Sequence, residues 1–185
     1  KDSLLIIYAT IPAVIVGFLV DKFVKDFFRN TETVIITLVI GAILFFLVEK
    51  FAKHTRDFTG MNIGKAMFIG FAQALALIPG VSRSGITIIA GMSVDLKRSE
   101  AAKFSFLLSI PAVLGAGVLK MFGVAWTRLP SSEIWAFFVG FMVSLIVGFF
   151  VIKFLLKYVE HHKLNVFGWY RLGLAAVLVI WLLLK

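Results

Sequence analysis

Residues 134–152, IWAFFVGFMVSLIVGFFVI, run for 19 positions without one charged side chain. As an α-helix rising ~1.5 Å per residue, such a run covers ~28 Å, close to the ~30 Å hydrocarbon core of a bilayer. In lipid every backbone polar group must be satisfied within the chain, so the run predicts a spanning helix. Residues 4–20, 33–48, 104–119 and 166–184 are read the same way. Pro12 and Pro111 fall inside two of them, which neighbouring membrane helices tolerate. Arg171 lies near enough to the start of the last run to snorkel to the interface. With 61% hydrophobic residues, against about 45–50% in a soluble domain, the 185-residue chain reads as one all-α, polytopic integral membrane domain over residues 1–185.

The polar segments fit that reading. In DKFVKDFFRN (21–30) phenylalanines and charges interleave, which predicts a short helix lying in the interface. Trp126, Trp135, Trp169 and Trp181 fall near span ends, as in an aromatic belt. The formal charge is +9, but the basic residues are scattered at the ends of apolar runs. They suit loops against anionic lipid headgroups and exclude a nucleic-acid surface, which needs a clustered basic face. There is no cysteine, hence no disulfide or thiolate metal site. The chain starts at Lys1 with no basic n-region before an h-region, so a fragment without a signal peptide is expected.

Residues 64–94 do not form a plain span. Two apolar stretches, 64–78 and 86–94, flank PGVSRSG, whose proline and two glycines break a helix. The pieces could cross end to end or fold back as a re-entrant hairpin. Loop charges choose between the two. With a hairpin, Lys1, Lys50, Lys53, Arg56, Lys65, Lys97, Arg98, Lys103, Lys153, Lys157 and Lys163 share one side. Only Lys22, Lys25, Arg29, Lys120, Arg128 and Lys185 share the other. With a single crossing the bias vanishes. The positive-inside rule therefore predicts a re-entrant hairpin over 64–94, with the richer side cytoplasmic.

Arg83 is the only charged residue in 66–94. A lone arginine at membrane depth costs roughly 2.5–3.5 kcal/mol on insertion scales, so something anionic should meet it. A guanidinium can clamp two phosphate oxygens at once. Ser82, Ser84 and Thr87 add hydroxyls, and the free N–H groups opening the second half-helix point toward the loop. A surface loop whose arginine meets lipid headgroups is the plain alternative.

The stretches FAQALALIPGVSRSGITIIAGM (71–92) and AAKFSFLLSIPAVLGA (101–116) resemble the second signature region of the bacitracin-resistance type of undecaprenyl-diphosphatase. The likeness covers the whole chain, and the P-G-x-S-R-S-G-x-T core is specific. The resemblance implies a bacterial inner-membrane phosphatase that converts undecaprenyl diphosphate to the monophosphate, recycling the lipid carrier of cell-wall synthesis. It implies a fold of inverted repeats, each with a re-entrant hairpin, and a site opening to the outer face. It also implies a divalent cation, magnesium or calcium. Arg83, Ser82 and Ser84 match the catalytic positions, and the phosphate-binding loop spans 79–87. Thr87, Gly80, Gly85 and Gln73 form the substrate-binding set, Gln73 being a polar position on the entering half-helix. The family's first signature, a glutamate-rich half-helix and a P-V-S-S-T-G-H loop, does not occur in this sequence. The cation's ligands and the carboxylates are therefore expected outside this chain, which supplies the arginine half of the site. Polyprenyl diphosphate and membrane lipids are the expected partners, and a homodimer is left open.

Other chemistries lack their residues. Phosphatidic-acid-type phosphatases need K-x6-R-P and P-S-G-H elements, and intramembrane serine proteases need a G-x-S-G loop with a histidine on a span. His54, His161 and His162 sit among lysines and read as solvated, and Glu49, Asp95, Glu100 and Glu160 read as solvated or lysine-paired span ends. A transporter or flippase of an anionic polyprenyl phosphate lipid is the rival, since inverted repeats around a midplane site also suit alternating access.

Overall fold

The computed structural model describes residues 2–123 and 130–185. Trp126 and Arg128, used above for the aromatic belt and the charge balance, lie outside them. Among the described residues seven α-helices follow in chain order: α1 (Asp2–Phe28), α2 (Thr31–Phe51), α3 (Ile63–Ala74), α4 (Arg83–Ser93), α5 (Arg98–Phe122), α6 (Ser131–His161) and α7 (Asn165–Leu183). No strand occurs among the described residues. Helices α2, α5, α6 and α7 are long and apolar enough to cross a membrane, while the apolar stretch of α1, Ser3–Leu19, is shorter. The chain is a polytopic α-helical membrane protein. One expectation changes: residues 21–28 form no separate interfacial helix but continue α1 to Phe28. Nothing between 20 and 28 breaks the helix, since the segment holds neither glycine nor proline.

Helices α3 and α4 fold back on each other. Their outer ends lie together, with Lys65 Nζ 3.4 Å from the Val94 carbonyl. The flanking loops are tied by an Arg56–Leu96 bridge and by N–H donation from Thr55 and Arg56 to the Asp95 carbonyl at 3.0 and 2.9 Å. Asn62 caps α3 by accepting the Lys65 N–H at 2.9 Å, and Asn30 caps α2 in the same way through Thr33 at 2.7 Å. At the inner end α3 tightens into a 3-10 turn, Leu75–Leu77, before Pro79.

Close backbone approaches position this hairpin. Ala66, Ile69, Gly70 and Gln73 repeat at helical spacing as the buried stripe of α3. A Cβ on Gly70 would strike the Ala9 carbonyl of α1, so only glycine lets these two helices meet there. On the other side α4 packs on α5, where Gly91 faces Ala101 and the Thr87 hydroxyl lies 2.6 Å from that of Ser105. The core gathers around Ile69, Met92, Phe104 and Leu108, all essentially inaccessible. Helix α6 is exposed along almost its full length, and its phenylalanines make it an apolar cylinder.

At the end where α2, α4 and α6 finish, polar residues lock the helices together. The Glu49 carboxylate, its side chain 2% exposed, accepts from Arg98 Nη2 at 2.6 Å and Nε at 2.8 Å. It also accepts the Leu164 N–H at 2.8 Å, joining α2, α5 and the start of α7. Its partner is thus an arginine rather than the lysine expected. Glu100 does pair with Lys103 at 2.8 Å, and Asp57 with Lys97 at 2.9 Å, the latter pair exposed and worth little. Removing one member of a buried pair strands the other. Glu49→Ala is accordingly expected to destabilise the protein by about 3 kcal/mol, read as a lower thermal unfolding midpoint in detergent, with Glu49→Gln losing less. An unchanged midpoint in Glu49→Ala would show that the pair is not a structural lock.

His54 beside this lock is not the solvated loop residue expected from its neighbours. Both ring nitrogens are buried without a hydrogen-bond partner among the described residues, and its φ is +52°. Burial, and then the Arg98 charge, push its pKa below the ordinary 6.5; the Glu49 charge and nearby carbonyls offset this only in part. Because the folded value is depressed, the unfolded chain takes up the proton first as pH falls. Stability is therefore complete above 6.5 and declines as pH drops through that value. His54→Asn keeps a residue that tolerates positive φ and removes the titration. Its unfolding midpoint should fall less than wild type's between about pH 7 and pH 5. Parallel pH profiles for the two proteins would rule the effect out. His161 and His162 are exposed as expected, with His162 stacked on Tyr158 at 4.4 Å.

Candidate functional site

The turn between α3 and α4 holds residues 78–82, shorter than the sequence suggests, because α4 begins at Arg83 and not at residue 86. Ser82 is the reason. Its Oγ accepts the Gly85 N–H at 3.1 Å, a serine N-cap that starts the helix three residues early. Arg83 and Ser84 thus occupy the first helical turn. The N–H groups of Ser82, Arg83 and Ser84 meet no acceptor among the described residues, as expected for the orphan donors of a helix start. Ser84 Oγ lies 3.4 Å from Ser82 Oγ.

The turn is pinned from α2 and α7. Gly80 has φ +85°, a conformation open to glycine, and a Cβ there would collide with Thr37 Oγ1. The Thr37 hydroxyl lies 2.9 Å from the Pro79 carbonyl. Arg171 of α7 donates to the Gly80 carbonyl at 3.1 Å. Thr37 stands six residues from the start of α2 and 14 from its end. At ~1.5 Å per residue, that sets the tip ~9 Å from one end of α2 and ~21 Å from the other. The break lies inside the helical layer.

Arg83 is half-buried, and its guanidinium has no hydrogen bond or ion pair among the described residues. Ser82 and Gly85 line two apolar cavities of about 190 Å³ each, which also share Phe45 and Arg171; Ser84 lines the second. The structure therefore brings Ser82, Arg83, Ser84, Gly80 and Gly85 together at one turn. The other two residues of the expected set sit apart. Thr87 is 1% exposed, its hydroxyl held by Ser105 and by the Arg83 carbonyl at 2.9 Å, so it ties α4 to α5. Gln73 is 4% exposed on the α3 stripe facing α1, and its carboxamide has no partner among the described residues.

The sequence reading missed Thr37, Ser105 and Arg171. Arg171 carried a usable signal, being a single cation within an apolar run like Arg83. It is not snorkelling: it is 7% exposed and bonded to backbone. As for a metal, no three Asp, Glu or His residues come together among the described residues. Guanidinium and N–H groups repel a cation, so this turn does not fit one.

A cationic helix start inside an apolar layer has the chemistry to hold an anion. The family model described as bacitracin resistance protein BacA matches residues 2–177. This chain belongs to the BacA family. The undecaprenyl-diphosphatase of Rubrobacter xylanophilus is 39% identical over 180 residues, 97% of this chain and 66% of the relative. That of Elusimicrobium minutum is 40% identical over 181 residues, covering 98% and 68%. That of Corynebacterium efficiens is 42% identical over 191 residues, covering 98% and 63%. The chain spans about two thirds of the length of these BacA-family relatives.

Proposed function

We propose that this chain is the phosphate-gripping part of an undecaprenyl-diphosphatase, which hydrolyses undecaprenyl diphosphate to undecaprenyl phosphate and phosphate and so recycles the lipid carrier of cell-wall synthesis. One observation carries the reading: among the described residues Arg83 stands unpaired on the first turn of α4, beside three free N–H groups, at a break within the helical layer. Hydrolysis adds water across the bridging P–O bond, and negative charge builds on the bridging oxygen and the terminal phosphoryl oxygens. Arg83 stabilises that charge through two parallel N–H donors, and the N–H groups of 82–84 hold the phosphoryl in place. The hydroxyls of Ser82 and Ser84 bind rather than attack, since no Asp, Glu or His among the described residues stands by them as base. The divalent cation implied by the resemblance has its ligands on residues outside this chain.

In the same reading, the α3–α4 hairpin re-enters the bacterial inner membrane from the cytoplasmic side, the side with eleven lysines and arginines. The tip, nearer the opposite end of α2, opens the site to the outer face. A flippase for the same lipid would use the same grip, and the lack of a carboxylate at Arg83 among the described residues favours it. Phosphate release from undecaprenyl diphosphate by the full-length protein in detergent micelles separates the two, because micelles have no second leaflet to flip to. Turnover there establishes the phosphatase; binding without release supports the flippase.

A further inference from the structure

Helix α7 carries one charged side chain for which the proposed chemistry has no task. Arg171 is 7% exposed, yet it meets no carboxylate among the described residues. Its Nη2 donates to the carbonyls of Thr37 at 2.9 Å and Gly80 at 3.1 Å, and its Nε to that of Leu38 at 3.3 Å. One guanidinium therefore joins α7, α2 and the hairpin tip. Gly41 is shaped to it, because a Cβ there would overlap the guanidinium. Stability alone is a weak reason for this arrangement, since well-packed apolar side chains commonly replace buried charges without loss. The geometry does more than brace. The Gly80 carbonyl, a partial negative charge two residues from Ser82, is drawn toward α7.

We propose that Arg171 is the positioning residue of the anion grip. It holds the Gly80 carbonyl away from the site, so that the tip turns N–H donors and not that acceptor to a phosphate. It also adds a positive charge beside both cavities that meet at Ser82. The inference rests on the reading of the turn as a phosphate site.

The test uses the full-length protein in detergent, with undecaprenyl diphosphate as substrate. Kinetics are read for Arg171→Ala, Arg171→Lys and Arg83→Ala. A second measurement follows tip mobility by maleimide labelling of Val81→Cys, with exposed His161→Cys at the far end as reference. These 185 residues contain no other cysteine, and any elsewhere are replaced. Arg171→Ala is expected to lower kcat about 10- to 100-fold with KM changed less, the signature of a misplaced group. Labelling at residue 81 should rise several-fold while labelling at 161 stays constant. Arg171→Lys should recover part of kcat, as an ammonium supplies donors without the fork. Wild-type kcat in Arg171→Ala, or equal acceleration of labelling at both sites, overturns the proposal. Normal hydrolysis by Arg83→Ala would instead defeat the phosphate reading, and the labelling ratio would still decide whether Arg171 holds the tip.

Discussion

Replacing Arg83 with alanine in the full-length protein is expected to lower phosphate release from undecaprenyl diphosphate by about 1,000-fold or more. Loss of one preorganised donor to a developing oxyanion costs about 100- to 1,000-fold, and Arg83 offers two donors and a full charge. Stability should not fall with activity. The guanidinium makes no bond among the described residues, so its removal breaks nothing in the fold and relieves a half-buried cation of its desolvation cost. Arg83→Lys separates charge from geometry. It keeps the charge, loses the planar fork, and should fall between alanine and wild type. Turnover by Arg83→Ala at the wild-type rate would remove the residue from the chemistry.

Gly80→Ala should be strongly damaging for a change that adds a single carbon. At φ +85° any Cβ is strained by roughly 1–2 kcal/mol. Here the new carbon also meets Thr37 Oγ1 and lies 2.9 Å from Val34 Cα. The helix backbone cannot yield cheaply, so the tip must. Moving it breaks the Thr37–Pro79 and Arg171–Gly80 contacts that aim the first turn of α4. Activity is expected to drop about 100-fold, with a lower unfolding midpoint. Gly85→Ala provides the contrast. Its backbone is helical, and the new Cβ would lie 3.1 Å from the Ser82 side chain, a contact that can give by a few tenths of an ångström. It should cost only a few-fold, and equal damage from the two substitutions would show that positive φ at the tip is not what matters.

Much of the architecture was legible because lipid simplifies the code. Uncharged runs ending in charges mark α2, α5, α6 and α7 directly, since length and hydrophobicity alone decide a span. The fold-back of α3 on α4 was legible through Pro79 and the glycines. The start of α4 was misjudged by three residues because Gly85 was read as a breaker, when Ser82 before Arg83 is a cap signal. The separate helix over 21–30 failed for a different reason: interleaved charge shows where a helix surfaces, not where it stops.

The site was legible where chemistry is local and illegible where it is tertiary. Arg83 stands out in 66–94 because nothing else there is charged. Thr37 lies 42 positions from Pro79, and Arg171 lies 91 from Gly80, so no local pattern joins them. The same holds for Thr87. Its hydroxyl suits a phosphate by residue type, but one helical turn past Arg83 it faces Ser105.

The most direct test of the central claim is a binding measurement free of catalysis. The ligand is a polyprenyl diphosphate analogue with a methylene in place of the bridging oxygen, titrated onto the full-length wild-type protein and onto Arg83→Ala. Binding by the alanine variant should weaken tenfold or more, about 1.4 kcal/mol, since the terminal phosphate loses its bidentate partner. Equal dissociation constants would contradict the account, because the phosphate would then be held by something other than the first turn of α4.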